Sequence, residues 1–133
     1  MNRCFELAEE AAARGDTPVG SLLADSEGNI VSEAGERNRS SDLFAHAELL
    51  AIREAMRVLG TSDLFGLSLV TTNEPCFLCS YAIRRTGISR VAFARKTPGI
   101  GGATSDYPIL SATEIAAWPD PPEIILLEKF GGG

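Results

Sequence analysis

Leu67-Ser68-Leu69-Val70-Thr71-Thr72-Asn73-Glu74-Pro75-Cys76-Phe77-Leu78-Cys79 is the stretch on which the fold turns. Residues 67–72 form a short apolar and β-branched run, which reads as a strand. Asn73-Glu74-Pro75 then turns the chain. A helix follows from Pro75 or Cys76 to Thr86, with Gly87 as its left-handed terminator. Proline suits the first helical turn because the N–H it lacks would have no partner there. A strand feeding a helix through a turn is the unit of an α/β sheet.

The same alternation extends both ways. Upstream, residues 45–59 predict a helix with Leu49, Ile52, Met56 and Leu59 on one stripe and Gly60 at its end. Val19 to Ala24 and Ile30 to Glu36 predict a hairpin around the Asp25-Ser26-Glu27-Gly28-Asn29 turn. Residues 2–14 predict a helix carrying Cys4, Leu7, Ala8, Ala11 and Ala12 on its inner stripe, closed by Gly15. Downstream, Arg90 to Ala94 is a strand and residues 97–108 a glycine- and proline-rich loop. A short helix at 111–118, with Ser111 and Glu114 as a capping box, leads to a last strand from Glu123 to Leu127. The order αββαβαβαβ predicts an α/β fold with a mixed sheet between helix layers. Residues 1–130 are expected as one domain and residues 131–133 as a flexible tail.

Position 46 holds the only histidine, within Ala45-His46-Ala47-Glu48. Cys76 and Cys79, three apart at a helix start, project toward one point. The partial positive charge of that helix end favours their thiolates. One neutral imidazole and two thiolates are three ligands of a zinc site whose fourth position stays open to water, so one Zn2+ per chain is expected at His46, Cys76 and Cys79. Glu48 is the candidate proton carrier. His46 and Glu48, two apart, converge only if His46 stands at the very start of its helix. Cys4 reads as a small hydrophobe on its helix stripe.

Bulk properties narrow the setting. The chain has 133 residues, 44% of them hydrophobic, and a formal net charge of -6. The acidic balance disfavours nucleic acid as a partner. Three cysteines cannot all pair, and with no secretory leader visible they predict metal ligation in a cytoplasmic setting. No apolar run approaches the roughly 20 residues that span a bilayer.

The order H-x-E then P-C-x-x-C is the signature of zinc nucleobase deaminases. Thr17-Pro18-Val19-Gly20-Ser21-Leu22-Leu23, Glu36-Arg37-Asn38, His46-Ala47-Glu48 and Thr72 to Cys79 together resemble the cytidine deaminase-like superfamily. Within it the chain is most similar to the branch of tRNA adenosine deaminases, guanine deaminases and small cytosine deaminases. The likeness covers residues 1–95 well and the last third poorly. It implies the three-layer α/β/α fold with a five-stranded sheet, zinc on His46, Cys76 and Cys79, Glu48 as proton shuttle, and a homodimer. It also implies substrate contacts from Asn38 and Ala47, and from Asp106 and Trp118 in the segment that lids the pocket of small-base deaminases.

By resemblance, relatives acting on tRNA tend to be basic and carry a different segment after the fourth strand. The primary expectation is therefore a zinc deaminase for a free nucleobase, nucleoside or similar small aminated heterocycle. Two alternatives stay open: a deaminase of the tRNA wobble adenosine, and a non-catalytic zinc or C-x-x-C redox domain. The glycines at 99, 101 and 102 lack the order of a phosphate-binding loop and are expected to border the pocket or a dimer interface.

Overall fold

The computed structural model describes residues 1–127, so the expected tail at 131–133 lies outside the described residues. Helix α1 is Asn2–Ala13, strand β1 Gly20–Ala24, β2 Ile30–Gly35, α2 Ala47–Leu59, β3 Ser68–Asn73, α3 Phe77–Thr86, β4 Arg90–Arg95 and β5 Glu123–Leu126. The strands form one sheet in the order β2-β1-β3-β4-β5. β1 is antiparallel to β2 and to β3, whereas β3, β4 and β5 are parallel, which makes the sheet mixed as expected.

Alternation along β1 sorts the helices into layers. Gly20 faces α1: a Cβ there would lie 2.0 Å from the carbonyl oxygen of Cys4. Its register partner Gly35 is also under α1, where a Cβ would lie 2.9 Å from the carbonyl of Leu7. The two glycines let α1 rest directly on the strand backbones, and the Cys4 thiol donates to the carbonyl of Val70 at 3.3 Å. Ser21 and Leu23 point the other way, toward α2. Leu23, Leu69, Val91 and Phe93 of the sheet pack there with Ile52, Ala55 and Ile83 of α2 and α3. Helices thus flank the sheet on both faces. Among the described residues no helix is long and apolar enough to cross a membrane.

One expected element is absent. Residues 111–118 form turns, and the whole crossover from β4 to β5 is irregular. The cause is Arg84, buried on α3. Its guanidinium donates to the carbonyls of Ile109 (2.8 Å), Ala112 (2.8 Å) and Pro119 (3.1 Å), with a longer contact to Leu110 (3.4 Å). Of these, the carbonyl of Ala112 is one that a helix at 111–118 would need for its own N–H group four residues on. The intended cap is also diverted, because the Ser111 hydroxyl donates to Pro108. Arg84 thereby holds the crossover against α3 where a helix was expected.

Candidate active site

The ends of β2 and β3 meet the starts of α2 and α3 at one edge of the sheet. His46 is extended (φ −72°, ψ 144°) and immediately precedes α2, so Glu48 falls in the first turn and both side chains reach the same space. Cys76 is likewise extended (φ −71°, ψ −179°) before α3, and Cys79 is the third residue of that helix. His46 does not cap α2 with its own side chain. Glu36, buried at the end of β2, does so instead, accepting the Ala47 N–H at 2.7 Å.

The donor set has the dimensions of a metal centre. His46 Nδ1 lies 3.4 Å from Cys79 Sγ and 3.6 Å from Cys76 Sγ, and the two sulfurs are 3.8 Å apart. A tetrahedral zinc with Zn–S near 2.3 Å and Zn–N near 2.05 Å spaces two sulfurs about 3.8 Å apart and sulfur and nitrogen about 3.6 Å. The three observed distances are edges of that tetrahedron, so His46, Cys76 and Cys79 are positioned to hold zinc.

The electrostatics match. A hydrogen bond from Cys79 holds the Cys76 thiol down to about 5 against the cost of its burial, with His46 assisting. That same bond, and then burial, push Cys79 up. Burial opposes charge on His46, but the neighbouring Cys76 and Glu36 outweigh it and raise the imidazole.

Glu48 is buried, and burial pushes its carboxyl up to about 7 although Cys79 and Thr71 hydrogen-bond to it. Its Oε1 accepts from the Thr71 hydroxyl at 3.0 Å and lies 3.3 Å from the Ser21 hydroxyl, which itself donates to Thr71 at 2.8 Å. A carboxyl near neutrality, fixed beside a metal position, is suited both to taking and to returning a proton.

A cleft of about 250 Å³ opens over this centre, lined among others by Asn38, His46, Glu48, Asn73, Cys76 and Thr97. Asn38 is tied to Thr17 at both ends of its amide, donating to Oγ1 at 2.9 Å and accepting from the backbone N–H at 3.2 Å. These two bonds leave one amide hydrogen and one lone pair of Asn38, which lines the cleft, for a further partner.

The other expected substrate contacts are placed elsewhere. Ala47 is fully buried and its N–H belongs to Glu36. Asp106 is exposed and Trp118 half-buried, and neither lines the cleft. Trp118 packs edge-on against Tyr81 at 5.6 Å and beneath the Arg84 guanidinium at 5.0 Å, because Arg84 draws its segment onto the flank of α3. Glu36 and Glu74 escaped the sequence reading. Both work mainly through backbone N–H groups, which leave no side-chain pattern to find.

A mixed α/β sheet carrying His46, Cys76 and Cys79 around an open metal position, with Glu48 beside it, defines a hydrolytic zinc enzyme. The family profile of the cytidine and deoxycytidylate deaminase zinc-binding region matches residues 1–95, and the chain belongs to that family. It is a hydrolytic deaminase.

A tRNA-specific adenosine deaminase of Aquifex aeolicus is 41% identical over 104 residues, 77% of this chain and 68% of that protein. A tRNA(Ile)-lysidine synthase of Deinococcus radiodurans is 37% identical over 80% of this chain, which spans only 19% of that protein. Among solved structures, one from studies of A-to-I editing by tRNA:A34 deaminases superposes with a TM-score of 0.86 at 30% identity over 95% of both chains. A guanine deaminase of Bacillus subtilis superposes with a TM-score of 0.68 at 35% identity, over 71% of this chain and 61% of that one.

These relatives correct two expectations. The small-heterocycle substrate does not stand, because relatives 30–41% identical over most of the chain are tRNA-specific adenosine deaminases. The exclusion of nucleic acid as a partner falls with it. The exclusion of nucleic acid rested on net charge, which counts charged groups without regard to where they lie; the substrate expectation rested on that charge and on the segment after the fourth strand.

Proposed function

We propose that the chain deaminates an adenosine of tRNA to inosine, with Glu48 as the proton carrier. The observation that carries this reading is the match to the tRNA:A34 deaminase structure over 95% of both chains. At that coverage most of the segment after β4 is included, which is where deaminases of different substrate diverge. A guanine deaminase of Nitrosomonas europaea pairs with 98% of this chain but at 22% identity, a likeness of fold alone, whereas the tRNA-specific adenosine deaminases reach 41% identity.

Zinc, when bound, lowers the pKa of a coordinated water toward neutrality. Glu48 takes the proton that water gives up and passes it to the ring nitrogen beside the amino-bearing carbon. That carbon becomes electrophilic, the water oxygen bonds to it, and the C–N bond to the amine breaks. Glu48 helps protonate the departing amine, so adenosine and water become inosine and ammonia. Asn38 offers its remaining amide hydrogen and lone pair to the base or its ribose.

Local charge supports a polyanion at this cleft. Arg37 and Arg39 are the chain neighbours of Asn38, and Lys96 that of Thr97, so the loops that line the cleft on both sides carry cations. All three are exposed and form no ion pair among the described residues. The test is inosine formation in an anticodon stem-loop RNA carrying adenosine at the wobble position. Glu48→Gln is expected to retain one zinc per chain and lose turnover. Full activity in that variant, or an RNA left unchanged by the wild-type chain, refutes the reading.

A further inference from the structure

We propose that Glu74 is a positioning residue for the deamination substrate, holding the glycine-rich loop at 97–104 as one wall of the cleft. This rests on the deaminase reading above. Glu74 is 2% exposed, yet among the described residues no cation forms an ion pair with its carboxylate. Four donors of one loop do. Oε1 accepts from the Thr97 N–H at 3.0 Å and the Thr104 hydroxyl at 2.6 Å. Oε2 accepts from the N–H groups of Ala103 at 2.8 Å and Thr104 at 2.7 Å. The Thr97 hydroxyl closes the loop by donating to the Glu74 carbonyl at 2.7 Å.

The loop is shaped around this carboxylate. A Cβ on Gly101 would lie 2.2 Å from Glu74 Oε2, and one on Gly102 would lie 1.9 Å from the Ser80 hydroxyl on α3. Only a backbone without side chains passes between Glu74 and α3. The glycines that superficially suggest a phosphate loop thus surround an anion supplied by the chain itself. With both oxygens engaged by these donors, Glu74 is not available as a metal ligand.

Position gives the contact its consequence. Thr97 and Ile100 of the loop line the cleft, and Gly101 pairs with the zinc ligand Cys76 in an isolated bridge. Gly102 also donates to the carbonyl of Pro75 at 2.8 Å. Asn38 stands beyond the end of β2 and Thr97 beyond the end of β4, with β1 and β3 between them in the sheet. Glu74 therefore sets how far the β4-side wall stands from the metal and from Asn38. Its carboxylate bonds to Thr97, Ala103 and Thr104, and among the described residues no hydrogen bond joins it to Glu48 or to the three metal donors, so its loss should weaken substrate binding more than the chemical step.

Two variants test this from opposite sides. Glu74→Gln keeps the shape but replaces one acceptor oxygen by a donor that meets N–H groups. Gly101→Ala leaves Glu74 intact and pushes a methyl against it. With the stem-loop RNA, each is expected to raise KM about tenfold or more while kcat changes less than about threefold. Zinc should remain at one per chain, and amide exchange should quicken at Thr97, Ala103 and Thr104 but not in α2. An unchanged KM in both variants overturns the proposal, as does wild-type exchange across the loop in Glu74→Gln. Loss of zinc in both variants assigns Glu74 to metal-site integrity and likewise overturns it. If the wild-type chain leaves the RNA unreacted, the tRNA reading fails, and the exchange and zinc measurements still decide whether Glu74 holds the wall.

Discussion

Replacing Arg84 by methionine isolates the interaction that holds the crossover against α3. Methionine fills much of the arginine stem but donates nothing. Three contacts of 3.1 Å or shorter, to Ile109, Ala112 and Pro119, are lost together with the guanidinium over Trp118. Hydrogen bonds from a charged donor are worth about 1.5–3 kcal/mol each, so the gross loss is about 4.5–9 kcal/mol. Relief from burying a cation offsets part of this, leaving about 3–5 kcal/mol, the range found when one partner of a buried charged network is removed. For 133 residues the unfolding entropy is near 0.28 kcal/mol/K, which makes the fall in Tm about 11–18 °C. The assay is urea unfolding followed by circular dichroism, with zinc fixed in excess because the metal favours the native state. Limited proteolysis of the same samples should show earlier cleavage between residues 105 and 119. Arg84→Lys keeps the charge without the planar fork and should fall between the two. A loss below about 1 kcal/mol in Arg84→Met would refute the reasoning, since the carbonyls would then be satisfied without Arg84.

Asp16 offers a pH test away from the metal. Burial raises its carboxyl, but donors from Ser40, Arg39 and Arg14 more than reverse this and hold it below the ordinary range. Stability from such a group is complete above the unfolded value, near 3.9, and is lost as pH falls through the folded one. Asp16→Asn should therefore be less stable than wild type at pH 7, with the gap narrowing below about pH 4; a gap constant with pH in urea midpoints contradicts this. Cys79→Ser should lower zinc content well below one per chain and match the Tm of the chelator-treated wild type. Full zinc occupancy in that variant would remove Cys79 from the ligand set.

The parts of the site legible in the sequence are those written as side chains at fixed spacing. Cys76 and Cys79 announce a helix start through Pro75, and the requirement that His46 and Glu48 converge places His46 at the boundary of α2, where it lies. The strands were legible because apolar residues such as Leu69, Val91 and Phe93 face one layer. What stayed hidden is charge used inward. Nothing in the sequence singles out Asp16, Glu36, Glu74 and Arg84 as buried, since a charged side chain is ordinarily solvated. Each is buried, and each is matched mainly by backbone groups distant in sequence. The segment 111–118 has both apolar periodicity and a capping pair, yet a helix there would have to compete with Arg84 for the Ala112 carbonyl.

The same inward use of charge explains why net charge pointed to the wrong substrate. A formal charge of -6 treats every carboxylate as part of the surface that a polyanion meets. Asp16, Glu36, Glu48 and Glu74 are buried around the cleft, whereas Arg84 is the one buried cation among the described residues. The exposed surface is accordingly less negative than the composition implies. Screening localises what remains, because a phosphate at the cleft feels mainly charges within a Debye length of about 8 Å at physiological salt. Asp16 contributes to the cleft in another way, since it accepts the N–H groups of Arg39 and Ser40 and so fixes the loop that carries Arg37, Asn38 and Arg39. Glu74 does the same for the loop that follows Lys96. Each carboxylate turns its charge toward backbone N–H groups and leaves the cations of its loop exposed to solvent. An acidic composition and loops that present exposed cations beside cleft-lining residues are thus two results of one construction.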